Sequence, residues 1–146
     1  MWKSVLRTMR TPTASGRRPV ILVVEDEVIV RLLAVEAIEE AGYAAVEAED
    51  AEQALRLLES REIDAVFTDV RMPGAMDGQQ LAAHVRQDHP DLPILVTSGH
   101  RQEECASATP GVLFLQKPYR AAILIATLSA LIESRATGPR PGSGSA

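Results

Sequence analysis

A single cysteine, Cys105, stands among the 146 residues, so no disulfide can form within the chain and a reducing, cytoplasmic setting is expected. The sequence also lacks any run of the roughly 20 apolar residues needed to cross a bilayer, which argues against a membrane span. Acids are missing from residues 1–18, where Lys3, Arg7, Arg10, Arg17 and Arg18 give a net +5. That leader has no continuous apolar centre, so it does not read as a secretion signal. A basic surplus is missing from the rest: residues 19–134 hold all 20 acids against 8 bases. So acidic a body repels the phosphate backbone that supplies most nucleic-acid affinity, which argues against direct DNA binding. With a single cysteine there is no Cys pair to complete a zinc site, so His84 and His89 read as ordinary polar residues and not metal ligands.

What is present suits one domain with a single core, at 46% hydrophobic and 24% charged residues. The expected division is a basic flexible N-terminal tail over 1–18, a folded domain over 19–134, and a flexible C-terminal tail over 135–146, where Gly, Pro and Ser accumulate. Short apolar runs alternate with helical patterns through the middle. VILVV (20–24) is a β-branched run with the character of a strand buried on both faces. AAVEA (44–48), DAVFTD (64–69), PILVTS (93–98) and VLFLQ (112–116) read as four more strands. Between the first two, Val30, Leu33, Ala37, Ile38 and Ala41 recur at helical spacing, and Gly42 stands where a helix end favours glycine. Asp50 with Gln53, and Asp77 with Gln80, are helix-start signals ahead of apolar stripes. A last helix is expected over about 120–133, with Leu124, Leu128 and Leu131 inward.

Five strands alternating with helices imply βαβ units, a parallel sheet and right-handed crossovers. Ligands of such sheets bind outside the carboxyl ends of the strands, where strand order reverses. Glu25 and Asp26 follow the first strand, Asp69 ends the third, Ser98 ends the fourth and Lys117 follows the fifth, so all five fall on that edge. If the first and third strands are neighbours, Glu25, Asp26 and Asp69 meet. Three carboxylates a few ångströms apart would take up protons unless a cation sat among them, and an all-oxygen site suits Mg²⁺. A carboxylate can also act as nucleophile toward phosphorus and form an aspartyl phosphate. An ammonium group and a hydroxyl would then hold the oxygens of the transferred group. Asp69 is the candidate acceptor, Lys117 the ammonium and Ser98 the hydroxyl.

VILVVEDE (20–27), FTDVRMPGAMDG (67–78), PILVTSGH (93–100) and FLQKPY (114–119) together resemble the receiver domain of bacterial two-component response regulators. The likeness spans about residues 19–134. It implies an α/β, flavodoxin-like fold: a doubly wound, five-stranded parallel sheet of order 2-1-3-4-5. It further implies Asp69 as phosphoacceptor, Glu25 and Asp26 as the acidic pair, Lys117 as the family's lysine, and the backbone carbonyl of Arg71 as a further Mg²⁺ ligand. Thr97 and Ser98 compete for the switch hydroxyl; counting five residues from Pro93, as in relatives, selects Ser98. Phe114 takes the aromatic switch position, three residues before Lys117, without the hydroxyl of the commoner tyrosine. A cis Lys117–Pro118 bond is also implied.

Two departures stand out against that family pattern. The acceptor loop MPGAMDG is one residue longer than usual. The stretch between Ser98 and Phe114 is about three residues shorter and contains Pro110 and Gly111, so a short or irregular fourth helix is expected. Arg71 and His100 occupy positions from which they could flank attacking water, the alternative being surface placement without effect. The twelve residues after 134 are too few for an effector domain. The expected function is therefore a single-domain response regulator, phosphorylated by a sensor histidine kinase or a histidine phosphotransfer protein and acting on an unknown downstream protein target, with homodimerisation left open. It would be a signalling phosphoacceptor and not a turnover enzyme. The alternative is a pseudo-receiver that binds protein without being phosphorylated.

Overall fold

The computed structural model of the chain describes residues 17–99 and 111–137. Its strands are β1 (Val20–Val24), β2 (Ala44–Ala48), β3 (Ala65–Asp69), β4 (Ile94–Ser98) and β5 (Val112–Gln116), and its helices α1 (Val28–Glu40), α2 (Ala51–Ser60), α3 (Gly78–Asp88) and α4 (Ala121–Thr137). The strands form one parallel sheet in the order β2-β1-β3-β4-β5, the order the resemblance implies. The expected irregular fourth helix, His100 and Cys105 lie outside the described residues.

The strands form where β-branched runs can be buried on both faces, because alternate residues feed two separate cores. Leu22, Val24, Val66 and Val96 pack with Ala54 and Leu58 of α2 and Leu81 and Val85 of α3. Ile21, Val23, Phe67 and Leu95 pack with Ala34 and Ile38 of α1 and Leu124 and Leu128 of α4. The helix starts hold as expected. Asp50 accepts the Gln53 N–H at 2.8 Å, and Asp77 with Gln80 forms a reciprocal capping box at 2.8 and 2.9 Å. Gly42 closes α1 with φ of +100°, a conformation only glycine takes cheaply.

Two expectations about helices are corrected. The helical spacing of Val30, Leu33, Ala37, Ile38 and Ala41 does not coincide with the packed side of α1, since Leu33 is exposed and the buried residues are Arg31, Ala34 and Ile38. Seven of the eight residues Val28–Val35 are apolar, so periodicity alone could not say which side meets the sheet. The last helix runs to Thr137, past its expected end near 133, because no breaker occurs before Gly138-Pro139.

Candidate functional site

The sheet's pleat decides which strand-end groups can meet. Val23, Phe67, Leu95 and Leu115 face the α1/α4 side. Two residues farther along each strand stand Glu25, Asp69, Thr97 and Lys117, in the same phase of the pleat. Register brings them level, since Val24 pairs with Thr68, Asp69 with Thr97 and Thr97 with Leu115. Oxygens of Glu25, Asp26 and Asp69 lie within 4.8 Å of one another, and Lys117 Nζ lies 3.1 Å from Asp69 Oδ2. Glu25 and Asp69 are buried while Asp26 is exposed, so the cluster opens to solvent on the Asp26 side. The Lys117–Pro118 peptide bond is cis.

The backbone around Asp69 is tightly held. The Arg71 N–H points to Asp69 Oδ1 at 3.4 Å, which places the Arg71 backbone beside the carboxylate. Val70 N–H donates to Thr97 O at 3.0 Å, and Lys117 N–H donates to Ser98 O at 2.8 Å. Thr68 Oγ1 donates to the Asp69 carbonyl at 3.0 Å. Gly78, at the start of α3, packs against that same carbonyl, and its own N–H donates to Val70 O at 2.7 Å.

One lysine does not neutralise three acids. Burial, and then the Asp69 carboxylate, push the Glu25 carboxyl up to about 7, against the opposing pull of the Glu27 N–H and of Lys117. A dense, partly buried set of carboxylate oxygens whose charge is this poorly compensated fits a hard divalent cation such as Mg²⁺. The raised value also carries a stability consequence. Native Glu25 holds a proton between about 4.5 and 7 that the unfolded chain has already released. In the absence of divalent ions, stability should therefore be highest below that window and fall as pH rises through it. Added Mg²⁺ should raise the thermal midpoint more at pH 8 than at pH 5.5, and its affinity should weaken by up to about tenfold per pH unit as pH falls below about 7. Calorimetric scans with and without Mg²⁺ at the two pH values check both signs.

The two hydroxyl candidates are separated by the pleat. Thr97 shares the phase of Asp69, and its buried Oγ1 has no hydrogen-bond partner among the described residues. Ser98 is buried on the opposite phase, the one that carries Val96 and Phe114. Phe114 is half-buried against that second core.

Three neighbours of the site escaped sequence reasoning. Arg31 is buried, donates from Nη1 to the Glu25 carbonyl at 2.8 Å, and pairs through Nε with Glu47 at 2.8 Å. It thereby holds the acidic turn to β2. A lone cation inside an apolar helical run was the available signal. Removing it as Arg31→Met should cost about 1–3 kcal/mol, because a buried carbonyl loses a charge-assisted bond. Urea unfolding of the two proteins measures that difference. Gly78 was legible only as a turn residue. Tyr119 stands edge-on to Phe67, with ring centroids 5.9 Å apart at 81°. Burial first, then Glu25 and Asp69, raise its phenol above the usual range, so it stays protonated.

Comparison with known proteins bears on this geometry. The family model described as response regulator receiver domain matches residues 21–129. The sensor kinase CckA of Brucella abortus is 35% identical over 120 residues, 79% of this chain and 13% of that protein. The nitrogen assimilation regulatory protein NtrX of Azorhizobium caulinodans is 31% identical over 118 residues, 78% of this chain and 26% of that protein. The chain thus spans only 13% and 26% of the length of these relatives. A response regulator receiver protein from Sinorhizobium medicae superposes with a TM-score of 0.76 at 32% identity, over 81% of this chain and 97% of that one. The receiver domain of NtrX from Brucella abortus gives 0.73 at 32% identity, over 78% of this chain and 98% of that one.

Proposed function

The chain belongs to the response regulator receiver family of two-component systems, and from that premise we propose that it accepts a phosphoryl group on Asp69. The donor is a phosphohistidine of a sensor histidine kinase or of a histidine phosphotransfer protein. A carboxylate oxygen of Asp69 attacks phosphorus, the P–N bond breaks, and the imidazole keeps the electron pair and takes a proton from solvent. The observation that carries this reading is the grouping of Asp69 with two further carboxylates and with Lys117 Nζ 3.1 Å away. Lys117 is placed to neutralise charge on the arriving phosphoryl oxygens, which is most of what such a transfer requires.

Glu25, Asp26, Asp69 and the Arg71 carbonyl would hold Mg²⁺. Bound there, the ion supplies charge neutralisation for acceptor and phosphoryl oxygens. The exposed Asp26 side leaves room for a donor, while burial of Glu25 and Asp69 keeps bulk water from most of the pocket. Incubation with acetyl phosphate and Mg²⁺, followed by intact mass measurement, should show one added phosphoryl group. A chain that binds Mg²⁺ but never gains that group would be a pseudo-receiver acting only as a binding module.

Phosphorylation adds up to about two negative charges at Asp69. Ser98 moves toward the phosphoryl group, Phe114 fills the vacated space, and the surface over 98–119 changes its population of conformers toward a form that a downstream protein reads. Support for this coupling comes from Ser98 and Phe114 standing on one face of neighbouring strands, two positions apart in register. The phosphate mimic beryllofluoride with Mg²⁺ should shift amide resonances over residues 98–119 strongly and those of α2 little. Unmoved resonances over 98–119 would refute the coupling.

A further inference from the structure

The outer side of α1 has no covering element among the described residues, although its first two turns are apolar. Val28, Ile29, Leu32 and Leu33 are 54%, 68%, 47% and 62% exposed. At 100° per residue these four lie on one side of the helix, and Glu36, Glu39 and Glu40 continue the same side over the last turn. The face is therefore apolar at the end near Glu25 and Asp26 and acidic at the other. A contiguous exposed apolar patch of this kind usually marks a contact surface.

We propose that the occupant is the chain's own N-terminal segment, residues 1–16, which lies outside the described residues. Trp2, Val5, Leu6 and Met9 follow the spacing i, i+3, i+4, i+7, so one helical face would gather them. Lys3, Arg7 and Arg10 supply the positive charge, with no acid between them.

Direction and reach favour this occupant. Arg17 is tied to Asp64 by contacts of 2.9 and 3.2 Å, and Pro19 O accepts the Ala44 N–H at 2.9 Å. Asp64 precedes β3 and Ala44 opens β2, so the segment starts at the edge where these strands begin, the edge on which the acidic end of α1 also lies. A chain leaving there passes the acidic turn first and the apolar turns second. Arg10, the basic residue of the segment nearest the anchor, then lies toward the acidic turn, and Trp2, its apolar residue farthest from the anchor, toward Val28 and Ile29. Extended, the seven residues 10–16 span up to about 25 Å, which exceeds the length of α1, roughly 20 Å. Docked in this way, the segment lies against the flank of the acceptor pocket, where Trp2 meets Val28 and Ile29.

Trp2 is the only tryptophan, so its emission reports the contact in the full chain. Acrylamide should quench it severalfold less efficiently than it quenches a free peptide of residues 1–16. The protection should be lost in Ile29→Ser/Leu33→Ser, whose changed side chains are already exposed, and weakened in Arg7→Glu/Arg10→Glu and by high salt. Circular dichroism and the Mg²⁺ response establish that the variants are folded. Quenching equal to that of the peptide in the unaltered chain would overturn the proposal. So would protection that survives the α1 changes, which would put the segment elsewhere, or protection that disappears on dilution, which would make the occupant a second copy. None of these readouts depends on phosphorylation of Asp69, so the two ideas can fail separately.

Discussion

Asp69→Asn is expected to abolish phosphorylation by acetyl phosphate or phosphoramidate, leaving no added phosphoryl group in the intact mass. Asparagine has nearly the shape of aspartate, so the loop and its hydrogen bonds can persist while the anionic nucleophile disappears. Lys117 Nζ, 3.1 Å from Asp69 Oδ2, loses its ionic partner but keeps an amide oxygen to bond. Loss of activity need not come from unfolding, because the change also removes one of three crowded carboxylates. With less repulsion on Glu25, the variant should be at least as stable as the parent above pH 7 in the absence of Mg²⁺. Mass and thermal midpoint together therefore separate chemistry from folding. A variant that still gains the group would move the acceptor elsewhere.

The second large effect concerns a residue with no functional group. A Cβ at Gly78 would overlap the Asp69 carbonyl oxygen and sit 2.8 Å from the Asp69 carbonyl carbon and 2.8 Å from Val70 Cα. All three are backbone atoms at the end of β3, so no flexible side chain can swing away. The capping box at Asp77 and the 2.7 Å bond from Gly78 N–H to Val70 O resist movement from the helix side. Gly78→Ala should cost about 2–3 kcal/mol, the upper range for overpacking. Because Asp69's own backbone must yield, phosphorylation should also slow by about tenfold or more. Gly99→Ala is the control, since nothing lies within 4 Å of its Cβ position and its stability should stay within about 0.5 kcal/mol of the parent. Urea midpoints and acetyl phosphate time courses test both. An unchanged Gly78→Ala protein would show that the helix start is looser than its contacts indicate.

These two effects illustrate how unevenly the site could be read in advance. Asp69 was legible because an acid closing a β-branched run and followed by turn residues is a local signal. Gly78 was legible as a turn residue and nothing more, because its contact is with a residue nine positions earlier on a different element. Arg31 gave a faint signal, a cation in an apolar run, but its grip on Glu25 O and Glu47 depends on where β2 lies.

By itself the sequence determined the strands, the capped starts of α2 and α3, and the gathering of Glu25, Asp26, Asp69, Ser98 and Lys117 at one edge. Those depend on short-range preferences and on the rule that parallel strands end on the same side. Only the tertiary structure decided the inward face of α1, the shared pleat phase of Thr97 and Asp69, and the contact between Lys117 and an acid 48 residues away. The reason is physical. Periodicity records what a segment can bury, whereas sheet register and helix packing choose the neighbour it is buried against.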